Sequence, residues 1–251
     1  DIKISVGPPF YNIVIIPLIV PFLFLMTVGP QFKWINSQKV KFYQTLFFFF
    51  GAVIINLFIY YFFGSYSILT NLIFIVAIFL ILQCFLDAKQ SMYKKKIFEY
   101  PRIISHFGFG LLVLCIGINH QYSLEEDFNL QVGESKKINN YEIYFKNIKI
   151  EQNKNYQSVI GNFKLTDLKK NLIQYLNPEI RVYSDPETLT YEAAIKSKIT
   201  SDFYLTMSNV SRSEYYNIKF QNKPFMIWIW ISAFIIALGG FVQLMLKKNE
   251  N

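Results

Sequence analysis

The hydrophobic positions of this chain follow two rhythms. Continuous apolar runs occupy residues 11–28, 42–63, 68–86, 102–119 and 225–246. Each is close to the ~20 residues that a helix needs to cross ~30 Å of hydrocarbon. Between the fourth and fifth runs, over residues 130–221, the pattern is short and alternating. "YEIYFKNIKIEQ" sets Ile143, Phe145, Ile148 and Ile150 among polar neighbours, with a slip near Asn147 that a bulge would explain. "SVIGNFKLTD" and "NPEIRVYSDP" alternate in the same way, and Asn177-Pro178 and Asp185-Pro186 punctuate the second. "DFYLTMSNV" and "EYYNIKFQNKP" are also expected strands, whereas "TYEAAIKSKI" lacks alternation and suggests a short helix or a loop. The pattern predicts a multi-pass α-helical membrane protein. It has five transmembrane helices and a small β-rich domain, a barrel or sandwich, inserted between helices four and five. The expected divisions are 1–119 for four helices, 120–223 for the β-rich domain, and 224–251 for the fifth helix and its tail.

Charge placement orients the spans. Lys33, Lys39 and Lys41 follow the first run, and Lys89, Lys94, Lys95, Lys96 and Arg102 separate the third from the fourth. Lys247 and Lys248 follow the fifth, while the short "GSYS" loop between the second and third carries no charge. Basic residues collect on the inner side, so the β-rich domain is expected on the outer side. The net charge of +8 is accounted for by these loops and by contact with the lipid surface, and it requires no nucleic-acid partner.

Composition narrows the chemistry. Both cysteines, Cys84 and Cys115, fall in predicted spans, so the outer domain is no disulfide scaffold, and no CxxC or CxxCH is present. Beyond His120 there is neither histidine nor cysteine, and no phosphate-binding glycine loop. The run Glu125, Glu126 and Asp127 reads as a solvated face rather than catalytic acids. Only three of the 25 basic residues are arginine, which together with the abundant Phe, Tyr, Ile and Asn suggests AT-rich coding of the kind organellar genomes show.

The two histidines both lie in "YPRIISHFGFGLLVLCIGINH". His106 sits about one turn inside the fourth span, where an ionisable residue is either held by a neighbouring helix or headgroup or is functional: a metal ligand, a haem axial ligand or a proton relay. His120 lies 14 residues on, about 21 Å along a helix, so the two cannot share one iron. Gly108 and Gly110 beside His106 permit either close helix packing or the approach of a flat macrocycle. His120 reads as an interfacial surface histidine. Asn56 and Gln83 are polar positions within spans that show no evident partner in the sequence, and this weakens a transporter reading.

The ordered motifs "ISVGPPFYN", "PLIVPFLFLMTVGP", "HFGFGLLVLCIGI" running into "YSLEED", "LNPEIRVY", "YEAAI", "DFYLTM" and "KPFMIWIWISAFIIALGG" resemble the C-terminal part of the CcmF family, a haem lyase subunit of cytochrome c maturation. The resemblance covers nearly the whole chain. It implies a split C-terminal product of mitochondrial type, multi-pass in the inner membrane, with the β-rich domain in the intermembrane space. His106 occupies the "HxG" position that implies an axial ligand of haem b, with the second ligand from another chain; the metal bound would be haem iron only. His120 matches no family ligand, and Trp228 and Trp230 in "WIW" fit an interfacial belt equally well. The implied activity is that of a non-autonomous lyase subunit that helps hold haem and present it to the CxxCH of apocytochrome c. Thioethers form between haem vinyl groups and the substrate's own thiols, so no catalytic residue of this chain is expected. The implied partners are an N-terminal haem lyase half or other maturation subunits, apocytochrome c, haem and the lipid bilayer. The alternative is a haem-free structural subunit of a larger mitochondrial inner-membrane respiratory complex.

Overall fold

A computed structural model describes residues 8–31, 39–64, 67–209 and 214–248. Lys33 and the N-terminal "ISVG" lie outside them. The chain divides into two compact units, one formed by Asp1–Gln121 with Trp228–Asn251 and the other by Tyr122–Ile227.

The helical unit contains α1 (Pro8–Val28), α2 (Lys39–Phe63), α3 (Ile68–Tyr93), α4 (Tyr100–Tyr122) and α5 (Met226–Lys248). Among the described residues four helical segments are long and apolar enough to cross a membrane: Phe42–Phe62, Ile68–Tyr93, Ile97–Tyr122 and Met226–Leu246. The expected first span is a helix of 21 residues that contains Pro17 and Pro21, and it gives a shorter apolar stretch, Pro17–Gln31. The third span also exceeds its expected limit. The apolar run stops at Leu86, but α3 continues through Asp87 to Tyr93, because the polar residues of that last turn still satisfy their backbone groups helically. Ser67 starts α3 by accepting the Thr70 amide, a side-chain N-cap. The helix stops at Lys94, and Lys95 beyond it takes a positive φ of 53°.

α3 is the buried helix of this unit, with Phe74, Phe79 and Leu80 almost inaccessible. Leu23 of α1, Val76, Leu80 and Cys84 of α3 and Ile103 of α4 form one apolar cluster. By contrast α2 and α5 expose large apolar side chains, including Tyr61 at 82% and Trp230 at 70%. Faces of that kind suit lipid or further helices.

The second unit is a sandwich of two antiparallel sheets. One has the order β1 (Leu124–Leu130), β10 (Tyr216–Pro224), β9 (Ser201–Asn209), β8 (Ala194–Ser197). The other has the order β2 (Ser135–Ile138), β3 (Tyr141–Gln152), β4 (Tyr156–Asp167), β6 (Glu179–Ser184), β7 (Glu187–Glu192), with β5 (Leu172–Leu176) also on β4. Alternation supplies the core: Ile143, Phe145, Phe163 and Leu165 from one sheet meet Phe203, Leu205, Ile218 and Phe220 from the other. Phe145 and Phe163 stack at 4.2 Å between centroids. The expected slip near Asn147 is a bulge: Phe145 pairs with Phe163, Asn147 with Asn162, and Lys146 is the extra residue. It shifts the inward phase, so that Ile148 packs on the core after Phe145.

The segment expected as helix or loop, "TYEAAIKSKI", is instead β7 and β8. These strands lie at the free edges of different sheets, with Ala193 crossing between them. An edge strand is covered on one side only, so its inward positions stay partly wet and the alternation blurs: Leu189, Tyr191 and Ile195 remain about half exposed.

The acidic run lies on β1, the other edge of the four-stranded sheet, with Glu125, Glu126 and Asp127 all exposed, as a solvated face should be. Glu125 pairs with Lys219 on the neighbouring strand, which holds its carboxyl below the usual range.

Candidate functional site

α4 begins with Tyr100 and Pro101, where a missing N–H costs nothing in the first turn. Its glycines then set its neighbours. A Cβ on Gly108 would stand 3.0 Å from Ile235 and Ile236 of α5, and one on Gly110 would stand 3.0 Å from Ile81 and 3.4 Å from the Ala77 carbonyl of α3. Further along, a Cβ on Gly117 would meet the Phe74 ring at 2.5 Å. From the α5 side, a Cβ on Gly239 would lie 2.8 Å from both the Pro101 carbonyl and the Ser105 amide, and the Ser105 hydroxyl donates to the Ile236 carbonyl at 3.3 Å. Of the two roles the sequence allows for Gly108 and Gly110, the structure therefore uses close helix packing. Neither glycine leaves an open face for a macrocycle.

His106 lies on α4 between the level where Arg102 meets α3 and the level where Gly110 does. It is half-buried, and among the described residues no hydrogen bond reaches its ring. One helical turn below, about 6 Å along the axis, stands a polar cluster that the sequence did not reveal. The buried Asp87 carboxylate accepts from Gln31 Nε2 (2.8 Å) and Gln83 Nε2 (3.3 Å) at Oδ1, and from Arg102 Nη1 (3.1 Å) at Oδ2. Arg102 Nη2 also approaches Glu99 at 3.6 Å, and Glu99 in turn accepts from Ser91 and Lys96. Arg102, Lys94 and Lys96 border a cavity of about 360 Å³. A buried carboxylate with three donors, one of them cationic, meets the condition under which a charge persists in a low dielectric.

This cluster places an ionisable residue, Asp87, in the interior of α3, beyond the apolar run read from the sequence, and it corrects one expectation. Gln83 and Asn56 have partners: Gln83 donates to Asp87, and Asn56 Nδ2 donates to Asn71 Oδ1 at 2.9 Å across α2 and α3. The oxygens Asn56 Oδ1 and Gln83 Oε1 remain buried without one. A readable signal was present, because Asp87 and Arg102 are opposite charges at facing ends of consecutive apolar runs.

His120 ends α4 exposed, beside an apolar cavity of about 280 Å³ that includes Val113, Ile116 and Ser67. Trp228 and Trp230 open α5, with Trp230 largely exposed. His106 and His120 thus stand on one unbroken helix, near opposite ends. Among the described residues no three His, Cys, Asp or Glu side chains gather at metal-binding spacing.

An apolar helical unit joined to an antiparallel sandwich defines the class, and the sandwich matches a known one: residues 121–224 match the family model "CcmF C-terminal beta-sandwich". The chain is 28% identical over 248 residues to the cytochrome c-type biogenesis protein CcmF of Escherichia coli (strain K12), covering 96% of this chain and 38% of that protein. It is 25% identical over 249 residues to its Pseudomonas aeruginosa counterpart, covering 95% and 38%. A solved structure, "Cytochrome c Heme Lyase CcmF", superposes with a TM-score of 0.74 at 19% identity, covering 95% of this chain and 40% of that one; at that identity the likeness is one of fold. The chain is similar along nearly its whole length to the C-terminal portion of these CcmF proteins, and spans about two-fifths of their length.

Proposed function

We propose that this chain is the C-terminal part of a haem lyase assembly for cytochrome c maturation, in which His106 is one axial ligand of a haem b. The observation that carries the reading is the His106 ring itself. It stands inside an apolar span, half-buried and without a hydrogen bond from any described residue. A polar ring left so in hydrocarbon is costly unless something binds it. An imidazole nitrogen is a suitable haem-iron ligand, and the separation from His120 leaves a second histidine ligand to be supplied from outside these residues. The fit is one-sided. Gly108 and Gly110 are closed by α5 and α3, so His106 would hold the group without room being made over the glycines. Bound there, haem supplies a redox-active iron. The chain's own contribution is rigidity: the glycine contacts fix α4 between α3 and α5 and so fix the imidazole.

The relatives' names speak of cytochrome c biogenesis and haem lyase activity. On this reading the reacting thiols belong to the CxxCH of apocytochrome c, and the chain needs no nucleophile. Five spans, with the divisions 1–119, 120–223 and 224–251, follow from the apolar runs and the lysine-rich loops. They orient the sandwich toward the intermembrane space of a mitochondrial inner membrane, where apocytochrome c is met. Its other partners are an N-terminal haem lyase half or other maturation subunits, and the lipid bilayer.

His106→Ala in the native complex should abolish the b-type absorption and lower holo-cytochrome c while the helices still insert. Full haem content and normal cytochrome c maturation in that variant would favour a structural subunit without haem.

A further inference from the structure

Resting on the haem reading of His106, we infer that Arg102 is the anchor for an anionic arm of the group bound there, a haem propionate, and that Asp87 is the residue that positions Arg102. Four observations converge. Arg102 and His106 are four residues apart on α4, so their side chains share a face one turn apart. The guanidinium is fixed from behind: Asp87 is buried, holds Nη1 at 3.1 Å, and is itself held by Gln31 and Gln83 from α1's end and α3. The front is not saturated. A guanidinium carries five donors in a rigid fork, and its other carboxylate neighbour, Glu99, stands at 3.6 Å, beyond hydrogen-bond length. Arg102 also borders the cavity of about 360 Å³, with Lys94 and Lys96 on the same rim.

The charges facing this fork are Asp87 from α3, Glu99 from the turn before α4, and Lys94 and Lys96 from the loop between. Glu99 is already engaged by Lys96 and Ser91, so a carboxylate arriving on the open side of Arg102 displaces only the long contact. Arginine is the residue suited to such a pair, because its planar fork matches a carboxylate bidentately. Lys94, with no carboxylate partner among the described residues, reinforces the positive rim.

The test uses the native complex purified from membranes, with haem affinity and the b-type spectrum as readouts. Arg102→Gln should weaken haem retention about tenfold or more, the loss expected for a hydrogen bond to a charged group, and Arg102→Lys should recover part of it. Arg102→Gln alone strands the buried Asp87 charge, so the decisive variant is Asp87→Asn with Arg102→Gln, which removes both charges. It should still lose haem affinity. Haem supplied as its dimethyl ester, which has no free carboxylate, should bind the native complex and the double variant equally.

The inference is overturned if the double variant holds haem as the native complex does, or if the ester binds the native complex as tightly as haem. It is also overturned if the double variant loses co-purifying anionic phospholipid while haem affinity is unchanged, which would give the guanidinium to a lipid headgroup. His106→Ala separates this from the reading beneath it. Haem kept in that variant removes the ligand assignment. Haem lost there but kept in the double variant removes only the Arg102 anchor.

Discussion

The sandwich and the helical unit handle burial in opposite ways. In the sandwich, two sheets turn their apolar faces toward each other, and thirteen residues from Leu130 to Phe220 close a core with no outside help. In the helical unit α3 is the most enclosed of the four described spans; α2 and α5 leave rows of Phe, Ile and Leu uncovered. A self-contained core spends its polar groups on edges and turns, as β1 does with Glu125, Glu126 and Asp127. A helical set whose outer faces are apolar has nowhere outside to put polar groups, so they are drawn inward and paired. Asp87 with Arg102 and Asn56 with Asn71 are the result, and His106 stands apart, with no hydrogen bond from a described residue. Polar residues within the spans are therefore where function is to be sought, and in the sandwich they are mostly surface.

If the contrast holds, the largest effect should come from opening the sandwich core. Phe145→Ala removes a fully buried ring stacked on Phe163 and should cost about 3–5 kcal/mol. Limited proteolysis should then cut the sandwich first and leave the helices intact. In the helical unit the matching lesion is electrostatic. Asp87→Ala leaves Arg102 without its buried partner, and should lower the thermal midpoint of the detergent-solubilised chain by an amount corresponding to ~2 kcal/mol, below the cost for a fully buried pair because Arg102 is partly exposed.

Gly239→Ala sharpens the comparison. Its methyl would press on the backbone of Pro101 and Ser105, which cannot move aside as a side-chain tip can. Overpacking of about 1–3 kcal/mol is expected, read as a shift in detergent unfolding. Gly240→Ala, one residue on, meets nothing within 4 Å and should leave the midpoint unchanged or higher. The smallest effect belongs to the sandwich edge. Lys219 holds the Glu125 carboxyl below its ordinary 4.5. The pair's contribution is therefore present above that value and is lost as pH falls through the lower folded value. Glu125→Gln should remove this acid-side dependence and change nothing at neutral pH beyond the small cost of a surface pair.

Much of this was legible in the chain because two periodicities were clean. The apolar runs located the long helices, and alternation picked out Ile143 and Phe145 and marked a slip near Asn147, one residue from the extra residue Lys146. β7 and β8 were not legible, because half-covered edge strands do not alternate. Asp87 escaped for a different reason: a span drawn by hydropathy ends at its last apolar residue, while the helix goes on for as long as its backbone bonds do. The closing of Gly108 and Gly110 against α5 and α3 could not be read either, since a glycine in sequence is silent about which backbone comes near it. His106 was legible as a position inside a span; its lack of a hydrogen-bond partner among the described residues was visible only in three dimensions.

One residue separates α4 from β1 and one separates β10 from α5, and β1 and β10 pair along their length from Leu124 with Asn222 to Leu130 with Tyr216. The chain thus leaves the helices and returns to them through adjacent strands, whose spacing is about 4.8 Å. The insert has the form of a cassette: its two seams are close enough for a tight turn to join them. Excising the sandwich and splicing α4 to α5 would ask of the helical part no more than a short loop, and moving the cassette to another helical hairpin would ask only for two helix ends a strand's width apart.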